Sequence, residues 1–367
     1  MLYNIVTTHD CNLGNCRYCR NNEADPPFPR RIAYDIEALK RFIAKDPDAM
    51  IGFYGGEPLV GMEFFERIMD EIPARKHVLQ TNGILLDKVK DKHLRGLDCI
   101  LLSIDGPRET TDHYRGVGVH DKVLENARLL RRKGFASEIT ARMCVSEHSD
   151  VYRDVTYLLG LKDDAGKPLF TGVHWQNDMM FGDREEWQDL DGWLTRSYYP
   201  GIDRLVNDWV AGMERDNSVR LVYPFNGLVK TMLTGVRARI HCGCGHAYFN
   251  VCTDGKITAC PVSSDFYTIF QMGTIFDSTP ADLAKIMDVI EPCPSCDIFS
   301  ICGGRCLYAN KLKPWGEDGY LKVCESIRYL VRALQKVLPR IKKWIASGKL
   351  EQSQFDYFQY NGAEIVP

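Results

Sequence analysis

The stretch "LYNIVTTHDCNLGNCRYC", residues 2–19, joins a short apolar run to a loop with three cysteines. The apolar run is suited to a buried β-strand. The cysteines follow with the spacing Cys11-x4-Cys16-x2-Cys19. Thiolates are soft ligands for iron–sulfur clusters and for zinc, and three of them leave one position of a four-ligand site open. The loop therefore indicates a metal centre with an exchangeable position, and zinc held with the help of His9 is the alternative.

Apolar runs of the same kind recur at 50–56, 76–83, 99–107, 136–145 and 170–178, and segments with helical periodicity separate them. Six strand–helix units in about 215 residues predict an α/β fold with a parallel sheet and helices outside it. A long helical stretch follows, from about 185 to 216. Because barrel-type parallel sheets carry their chemistry at the carboxyl ends of the strands, the cysteine loop is expected at the active end.

Composition limits the classes of partner and compartment. The chain has 367 residues, which suits about two domains, and it is 45% hydrophobic and 26% charged. Its net charge of −3 gives no electrostatic case for nucleic acid or an anionic membrane. We see no signal peptide and no apolar run of roughly 18 residues, so we expect a cytoplasmic protein without a membrane partner. In a reducing compartment, its 14 cysteines indicate metal ligands rather than disulfides.

Residues able to bind a small molecule follow the first four predicted strands. "GGEP" brings two glycines that let the backbone approach a ligand and a carboxylate that can pair with an ammonium group. "QTNG", "SIDGP" and "HYRG" add amide, hydroxyl and guanidinium groups. Together they predict a pocket for a ligand with an amine, a carboxylate and a flat base, which describes S-adenosylmethionine (SAM). The predicted contacts are Tyr18, Gly55, Gly56, Glu57, Pro58, Asn82, Ser103 and Arg115.

The cysteine loop, its aromatic residue before the last cysteine, and GGEP after the second strand resemble the radical SAM enzymes. The resemblance implies a partial (β/α)6 barrel and a [4Fe–4S] cluster whose open iron is chelated by SAM. It also implies reductive cleavage of SAM to a 5′-deoxyadenosyl radical that abstracts a substrate hydrogen atom. One feature departs from that family, whose usual spacing is Cys-x3-Cys-x2-Cys. We interpret the longer first gap, "NLGN", as a one-residue insertion that Gly14 absorbs.

The C-terminal cysteines resemble the seven-cysteine SPASM pattern of peptide-modifying radical SAM enzymes. Gly255-x4-Cys260 is followed by a Cys-x2-Cys-x5-Cys-x3-Cys run and a last cysteine. The resemblance implies two auxiliary [4Fe–4S] clusters, for three in all. A zinc ribbon would explain fewer of these thiols. Cys252 is left over as a core thiol or as a replacement for Cys242. The implied ligand sets are Cys242, Cys244, Cys260 and Cys306 for one cluster, and Cys293, Cys296, Cys302 and Cys324 for the other.

The other two cysteines, Cys99 and Cys144, sit in apolar runs and are predicted to be core residues. "YFNVCTDGKITACP" predicts a β-hairpin around an Asp-Gly pair, and a helix is expected from about 325 to 347. We expect a barrel over 1–235, a SPASM domain over 236–330, and a C-terminal helix and tail over 331–367. The aromatic stretch from Phe355 to Tyr360 is expected to pack against the C-terminal helix, or alternatively to contact a peptide.

The core motifs look most like anaerobic sulfatase-maturing enzymes, which oxidise Cys or Ser to formylglycine. Those enzymes carry an Asp base directly after the G-x4-C cysteine, where this chain has Pro261. Asp265 is a weak substitute, so we favour another oxidation or cross-link of a peptide side chain and keep formylglycine formation as the alternative. The first strand begins too early to leave room for a winged-helix leader-binding segment. An electron donor such as flavodoxin or ferredoxin is implied. The alternative of another class is a non-catalytic iron–sulfur electron-transfer protein.

Overall fold

The computed structural model describes residues 1–14, 16–19, 28–178, 187–262, 267–359, 362 and 366–367. The strands are β1 (Leu2–Thr8), β2 (Met50–Gly55), β3 (Lys76–Thr81), β4 (Cys99–Ser103), β5 (Glu138–Val145), β6 (Gly172–Asn177), β7 (Leu221–Val222), β8 (Tyr248–Val251), β9 (Lys256–Thr258) and β10 (Gln271–Thr274). The helices are α1 (Ile36–Ile43), α2 (Met62–Glu71), α3 (Asp91–Arg95), α4 (Arg108–Arg115), α5 (Val119–Arg132), α6 (Val151–Gly160), α7 (Leu190–Trp193), α8 (Tyr199–Asp216), α9 (Tyr223–Thr234), α10 (Tyr267–Phe270), α11 (Pro280–Leu283), α12 (Phe299–Cys302), α13 (Leu307–Leu312) and α14 (Gly316–Ala346).

All ten strands belong to one sheet, in the order β10-β9-β8-β1-β2-β3-β4-β5-β6-β7. Strands β1 to β6 lie side by side in chain order and pair in parallel, with helices between them in the chain. The predicted α/β fold with a parallel sheet is therefore confirmed. Two additions were not predicted: β7 extends the sheet beyond β6, and β8 pairs in parallel with β1.

Side chains along the strands alternate between two environments, as the pleat requires. On β5, Ile139 and Ala141 belong to the main hydrophobic core beneath the helices. Their neighbours Arg142 and Cys144 contact the cavity on the other side of the sheet. The parallel sheet therefore has an apolar side that packs on the helices and a more polar inner side that surrounds the site.

The helices present apolar faces to that core. Asp35 begins α1 by accepting a hydrogen bond from the Glu37 amide, and α1 buries Leu39 and Phe42. The predicted long helix near 185–216 is divided: α7 passes through a π-helical turn, Leu194–Tyr198, into α8. The C-terminal helix α14 begins nine residues before its predicted start, so Cys324 lies within it. None of the helices in the described ranges is long and apolar enough to span a bilayer.

The hairpin of the C-terminal region extends the barrel sheet instead of forming a separate one. Strands β8 and β9 pair antiparallel, as predicted, with Val251 opposite Ile257. Helix α9 ends at Thr234, and Gly235 follows in the left-handed conformation with φ of 67°. The chain thus changes character close to the predicted boundary, while the sheet continues across it through the pairing of β8 with β1.

The aromatic tail packs against several elements. The Phe355 ring is fully buried and lies edge-on to Trp209 of α8, with 6.0 Å between ring centroids. Phe358 lies against the inner side of β3 and β4. The expected packing against α14 is therefore too narrow a description, because the tail continues into the interior of the barrel. Tyr360 lies outside the described residues.

Candidate active site

A cavity of about 260 Å³ lies at the carboxyl ends of the strands. Cys11, Cys16 and Cys19 line it, on the loop that follows β1. Seven of the eight predicted SAM contacts also line it. Pro58 does not, because it opens the 3₁₀ turn Pro58–Gly61 and its carbonyl accepts a hydrogen bond from the Thr7 hydroxyl. The seven are Tyr18, Gly55, Gly56, Glu57, Asn82, Ser103 and Arg115.

The glycines that end β2 hold the cysteine loop close to the strand. The Gly56 amide donates to the Thr8 carbonyl at 2.9 Å, and the Glu57 amide donates to the Asp10 carbonyl at 2.8 Å. A Cβ atom on Gly56 would lie 2.3 Å from the Asp10 carbonyl oxygen, well inside contact distance. Only glycine therefore permits this approach, and the first residues of the cysteine loop depend on it.

We expect Gly56→Ala to lower the free energy of unfolding by about 1–3 kcal/mol, because the methyl group must push the loop off β2. Iron uptake by the loop should fall with it. Urea unfolding and iron analysis measure the two effects. Gly160→Ala at the end of α6 is the matched control, since no other atom of the described residues lies within 4 Å of its added Cβ and it is remote in the chain from the cysteine loop. Equal behaviour of the two variants would contradict the close-approach argument.

Glu57 joins the ends of β2 and β3. Its carboxylate accepts hydrogen bonds from the Thr81 hydroxyl at 2.8 Å, from the backbone amide of Asn82 at 2.7 Å and from the backbone amide of Leu59 at 3.1 Å. Burial raises the pKa of this carboxyl from 4.5 to about 7, although these hydrogen bonds oppose the shift. These hydrogen bonds position the Asn82 loop, and pairing of the carboxylate with a SAM amine stays a prediction.

We expect the Glu57→Gln chain to lose less stability than the parent chain when the pH rises from 5 to 8. The pKa of Glu57 is raised on folding, so its protonation adds stability that is complete below pH 4.5 and is lost as the pH rises through about 7. The difference between these pKa values corresponds to about 3 kcal/mol. Urea midpoints at both pH values test this. Glu63→Gln, at an exposed side chain outside the cavity lining, is the matched control variant.

Asp105 connects the cysteine loop to β4 and α4, and sequence reasoning gave it no role. Its carboxylate accepts two hydrogen bonds from Arg115, at 2.7 and 2.9 Å, and one from the Tyr18 hydroxyl at 2.8 Å. It also accepts a hydrogen bond from the backbone amide of Cys144 at 2.9 Å. The carboxylate is fully buried, so it balances the buried Arg115 charge. The signal was the Asp in "SIDGP", which we treated only as part of a strand-end turn.

The two cysteines predicted to be core residues differ in their surroundings. Cys99 is fully buried at the start of β4. Cys144 is also buried, but it lines the cavity and packs with Tyr18 and Tyr114 next to Cys16. Both side chains lie on the inner side of the sheet, and they differ in depth: Cys99 begins β4, whereas Cys144 lies near the carboxyl end of β5, where the cavity is.

The first predicted auxiliary set lines the same cavity as the cysteine loop: Cys242, Cys244, Cys260 and Cys306. Burial raises the pKa of Cys306 to about 12, and the neighbouring Cys260 and Cys242 add to it, while Arg305 opposes it. Leftover Cys252 lies elsewhere, in a buried position where its sulfur is 3.6 Å from the Asn250 amide nitrogen.

The second predicted set gathers around α12 and α14. Burial raises the pKa of Cys302 to about 12, and nearby Cys293 and Cys324 contribute to the increase. The Cys296 sulfur accepts a hydrogen bond from Arg328 at 3.1 Å. Cys302 thus lies near Cys293 and Cys324, and Cys306 lies near Cys242 and Cys260, while the two ligand sets stay a prediction. Asp265 lies outside the described residues.

A family model and two curated relatives are similar to parts of this chain. The model of the Radical SAM superfamily matches residues 5–151. Pre-heme d1 synthase of Dinoroseobacter shibae is 30% identical over 180 residues, which is 46% of this chain and 41% of that protein. Fe-coproporphyrin III synthase of Methanosarcina barkeri is 27% identical over 172 residues, 46% of this chain and 42% of that protein. The chain thus spans less than half the length of these two relatives.

Solved structures share the fold over a larger part of the chain. Native anSMEcpe with bound AdoMet and a Cp18Cys peptide has a TM-score of 0.70 at 21% identity, covering 94% of this chain and 99% of that one. SuiB of Streptococcus suis bound to its precursor peptide SuiA has a TM-score of 0.54 at 14% identity, covering 85% and 72%. The match over residues 5–151 includes the three-cysteine loop and the strand ends that surround the cavity. Residues 5–151 therefore match a radical SAM domain, the domain of an enzyme superfamily.

Proposed function

We propose that this chain is a radical SAM enzyme that oxidises or cross-links a side chain of a peptide. The observation that carries the proposal is the single cavity shared by two sets of cysteines. Cys11, Cys16 and Cys19 approach it from the loop after β1, and the first auxiliary set approaches it from the C-terminal region. One chamber thus adjoins both the place where a radical would form and a second redox group.

The donor chemistry fits iron–sulfur clusters. In each of the three sets the ligands are thiols, and thiolates are the ordinary ligands of [4Fe–4S] clusters. Among the described residues, no three His, Cys, Asp or Glu side chains converge on the position of a single metal ion. That geometry gives no support to zinc held by the loop cysteines and His9. We assign the first cluster to the three loop cysteines and the other two to the sets named above.

When bound, the loop cluster and SAM would supply a carbon radical able to remove a hydrogen atom from an unactivated bond. The residues of the chain would position and shield that chemistry. Asn82 donates to Asn12 on the cysteine loop at 2.7 Å, which ties the loop to the end of β3. Arg115 and Tyr18 are held by Asp105, and Pro261 and Val262 add an apolar wall. Such enclosure excludes water from a reactive intermediate.

The fold likeness to peptide-bound anSMEcpe and SuiB supports a peptide as substrate. Pro261, which follows Cys260, lines the cavity and cannot accept a proton, so formylglycine formation remains the alternative reaction. A second redox group at the cavity favours net oxidation, because it gives the electron of a product radical a place to go. The electron donor, the cytoplasmic location and the three-part division of the chain at 235 and 330 stay proposals of ours.

A second candidate is the modification of a tetrapyrrole. The names of the two curated relatives, pre-heme d1 synthase and Fe-coproporphyrin III synthase, favour it. Arg142 and Arg305 line the cavity and carry the charge that a porphyrin carboxylate needs. We rank it second because the likeness to these relatives covers 46% of the chain, and the likeness to the peptide-bound fold covers 94%.

Anaerobic reconstitution with iron and sulfide, followed by incubation with SAM and dithionite, tests the proposal. We expect about twelve iron atoms per chain, from three clusters of four, and formation of 5′-deoxyadenosine. Mass spectrometry of peptides co-expressed from adjacent reading frames should show a loss of two hydrogens. Iron without SAM cleavage would favour an electron-transfer protein, and turnover of Fe-coproporphyrin III alone would favour the second candidate.

A further inference from the structure

Among the described residues of the tail, Phe358, Gly362, Val366 and Pro367 lie on the inner side of the barrel sheet or line the cavity. Phe358 packs against Val78, Cys99 and Leu101 on the inner side of β3 and β4. Further along, a Cβ built on Gly362 would lie 3.7 Å from Leu101, and Val366 and Pro367 line the cavity with the cysteines. The described tail residues therefore advance from the sheet interior toward the carboxyl ends of the strands, where the chemistry is expected.

Two arginines hold the tail by its backbone. The Arg142 guanidinium donates to the Gly362 carbonyl at 3.3 Å and to Gln176 at 2.8 Å. The Arg305 Nε donates to the main-chain oxygen of Pro367. Hydrogen bonds from a charged donor are stronger than neutral ones, and a backbone carbonyl is present in every peptide. These contacts therefore form a binding mode that does not depend on the side chains of the bound peptide.

Both arginines are built into the cavity wall. Arg142 extends from β5 on the inner side of the sheet, next to Cys144. Arg305 is 7% exposed and has a φ of 52°, a left-handed conformation that non-glycine residues rarely adopt and that is often kept at functional positions. Val366 is 2% exposed, so the tail residue between them is enclosed. The tail is thus bound as a ligand would be.

Space in the cavity is limited while the tail is there. The free volume of about 260 Å³ lies below the roughly 300–1,000 Å³ of ordinary ligand pockets. A bound iron–sulfur cluster and SAM would reduce this free volume further. A peptide substrate that reaches the cavity wall formed by Arg142 and Arg305 would therefore compete with Gly362, Val366 and Pro367 for this space.

We propose that Arg142 and Arg305 are positioning residues of a peptide subsite, which bind backbone carbonyls of the substrate. The residues Gly362, Val366 and Pro367 occupy this subsite until a substrate peptide displaces them. This inference rests on the proposed function, because it assumes that the substrate is a peptide. It adds the groups that hold the substrate and the segment that competes with it.

The test uses the fluorescein-labelled peptide NGAEIVP, which has the sequence of residues 361–367, as a probe. We expect it to bind the reconstituted chain lacking these residues at least about tenfold more tightly than the intact chain, whose own tail competes. Arg142→Gln in the shortened chain should weaken binding about tenfold through loss of the charged donor. Arg142→Lys should restore part of it, since an ammonium group can still serve one carbonyl. Fluorescence anisotropy measures all of these affinities.

Arg196→Gln is the control, because Arg196 is exposed and pairs with Asp189 far from the cavity lining. It should not change probe binding. If the shortened chain fails to fold, amide hydrogen exchange of the tail in the intact chain replaces the binding measurement. Arg142→Gln and Arg305→Gln should each accelerate this exchange at least about tenfold. Iron content is measured alongside, because Arg305 adjoins Cys306.

Equal probe affinity for the shortened and intact chains, with tail exchange unaffected by the arginine variants, would overturn the inference. So would arginine-dependent binding of Fe-coproporphyrin III in place of the peptide. Probe binding needs no SAM cleavage, so the two proposals fail separately. Loss of 5′-deoxyadenosine formation with probe binding intact removes the enzymatic function and leaves the subsite.

Discussion

Replacing Cys16 with alanine is expected to abolish 5′-deoxyadenosine formation and to remove about four iron atoms per chain. Cys16 lines the cavity between Tyr18 and Cys144 and is one of only three thiols on its loop. With two thiols left, the loop cannot hold a cluster that needs three protein ligands and one exchangeable position. Iron analysis and chromatography of the SAM cleavage products measure the two losses.

Cys252→Ala is the matched control, because it makes the same substitution at a buried cysteine that does not line the cavity. This variant should keep about twelve irons and parental SAM cleavage. If Cys16→Ala kept both, the assignment of the loop cluster would be wrong. If Cys252→Ala lost four irons, Cys252 would replace Cys242 as a ligand, which was the alternative from the sequence.

Replacing Asp105 with asparagine is expected to lower the free energy of unfolding by about 3–5 kcal/mol. The Asp105 carboxylate is fully buried and balances the charge of Arg115, whose side chain is 9% exposed. Asparagine leaves that charge buried without its counter-ion and gives up the charge-assisted bonds to Tyr18 and the Cys144 amide. Because Tyr18 belongs to the cysteine loop, iron content should fall as well. Urea unfolding of the metal-free chain and iron analysis after reconstitution test both effects.

The control for this variant is Asp121→Asn. Asp121 pairs with Arg108 at 2.7 Å, but both side chains are more than half exposed, so the loss should stay below about 1 kcal/mol. A double variant, Asp105→Leu with Arg115→Met, should recover part of the stability lost in Asp105→Asn, because it removes both buried charges together. Equal destabilisation by Asp105→Asn and Asp121→Asn would mean that the buried Asp105–Arg115 pair stabilises the fold no more than an exposed ion pair does.

Much of the site could be predicted because its signals are local. Gly55 and Gly56 after β2, and the cysteines after β1, stand directly behind apolar runs, and parallel strands bring their carboxyl ends to one edge. Asp105 was missed because its partners, Tyr18 and Arg115, come from other elements and a single Asp in a turn has no local signature. Pro58 does not line the cavity, because motif membership does not specify which side of a turn faces it.

The start of α14 was misplaced for a similar reason. The segment from Gly316 carries Glu317, Asp318 and Gly319, which are not a strong apolar pattern, while Tyr320 and Val323 bury their side chains in the folded chain. Helical order there depends on packing, which a propensity argument does not contain. The same packing places Cys324 on a regular helix beside Cys302.

The sequence alone determined three features: the succession of strands along the chain, their alternation with amphipathic helices, and the spacing of the thiols. Each of these depends on residues close together in the chain. Three features were decided only by the tertiary structure. These are the pairing of β8 with β1, the convergence of two cysteine sets on one cavity, and the course of the tail past Arg142 and Arg305. Each joins segments more than about sixty residues apart in the chain. Such contacts arise from the competition of whole surfaces for burial, which no local pattern records.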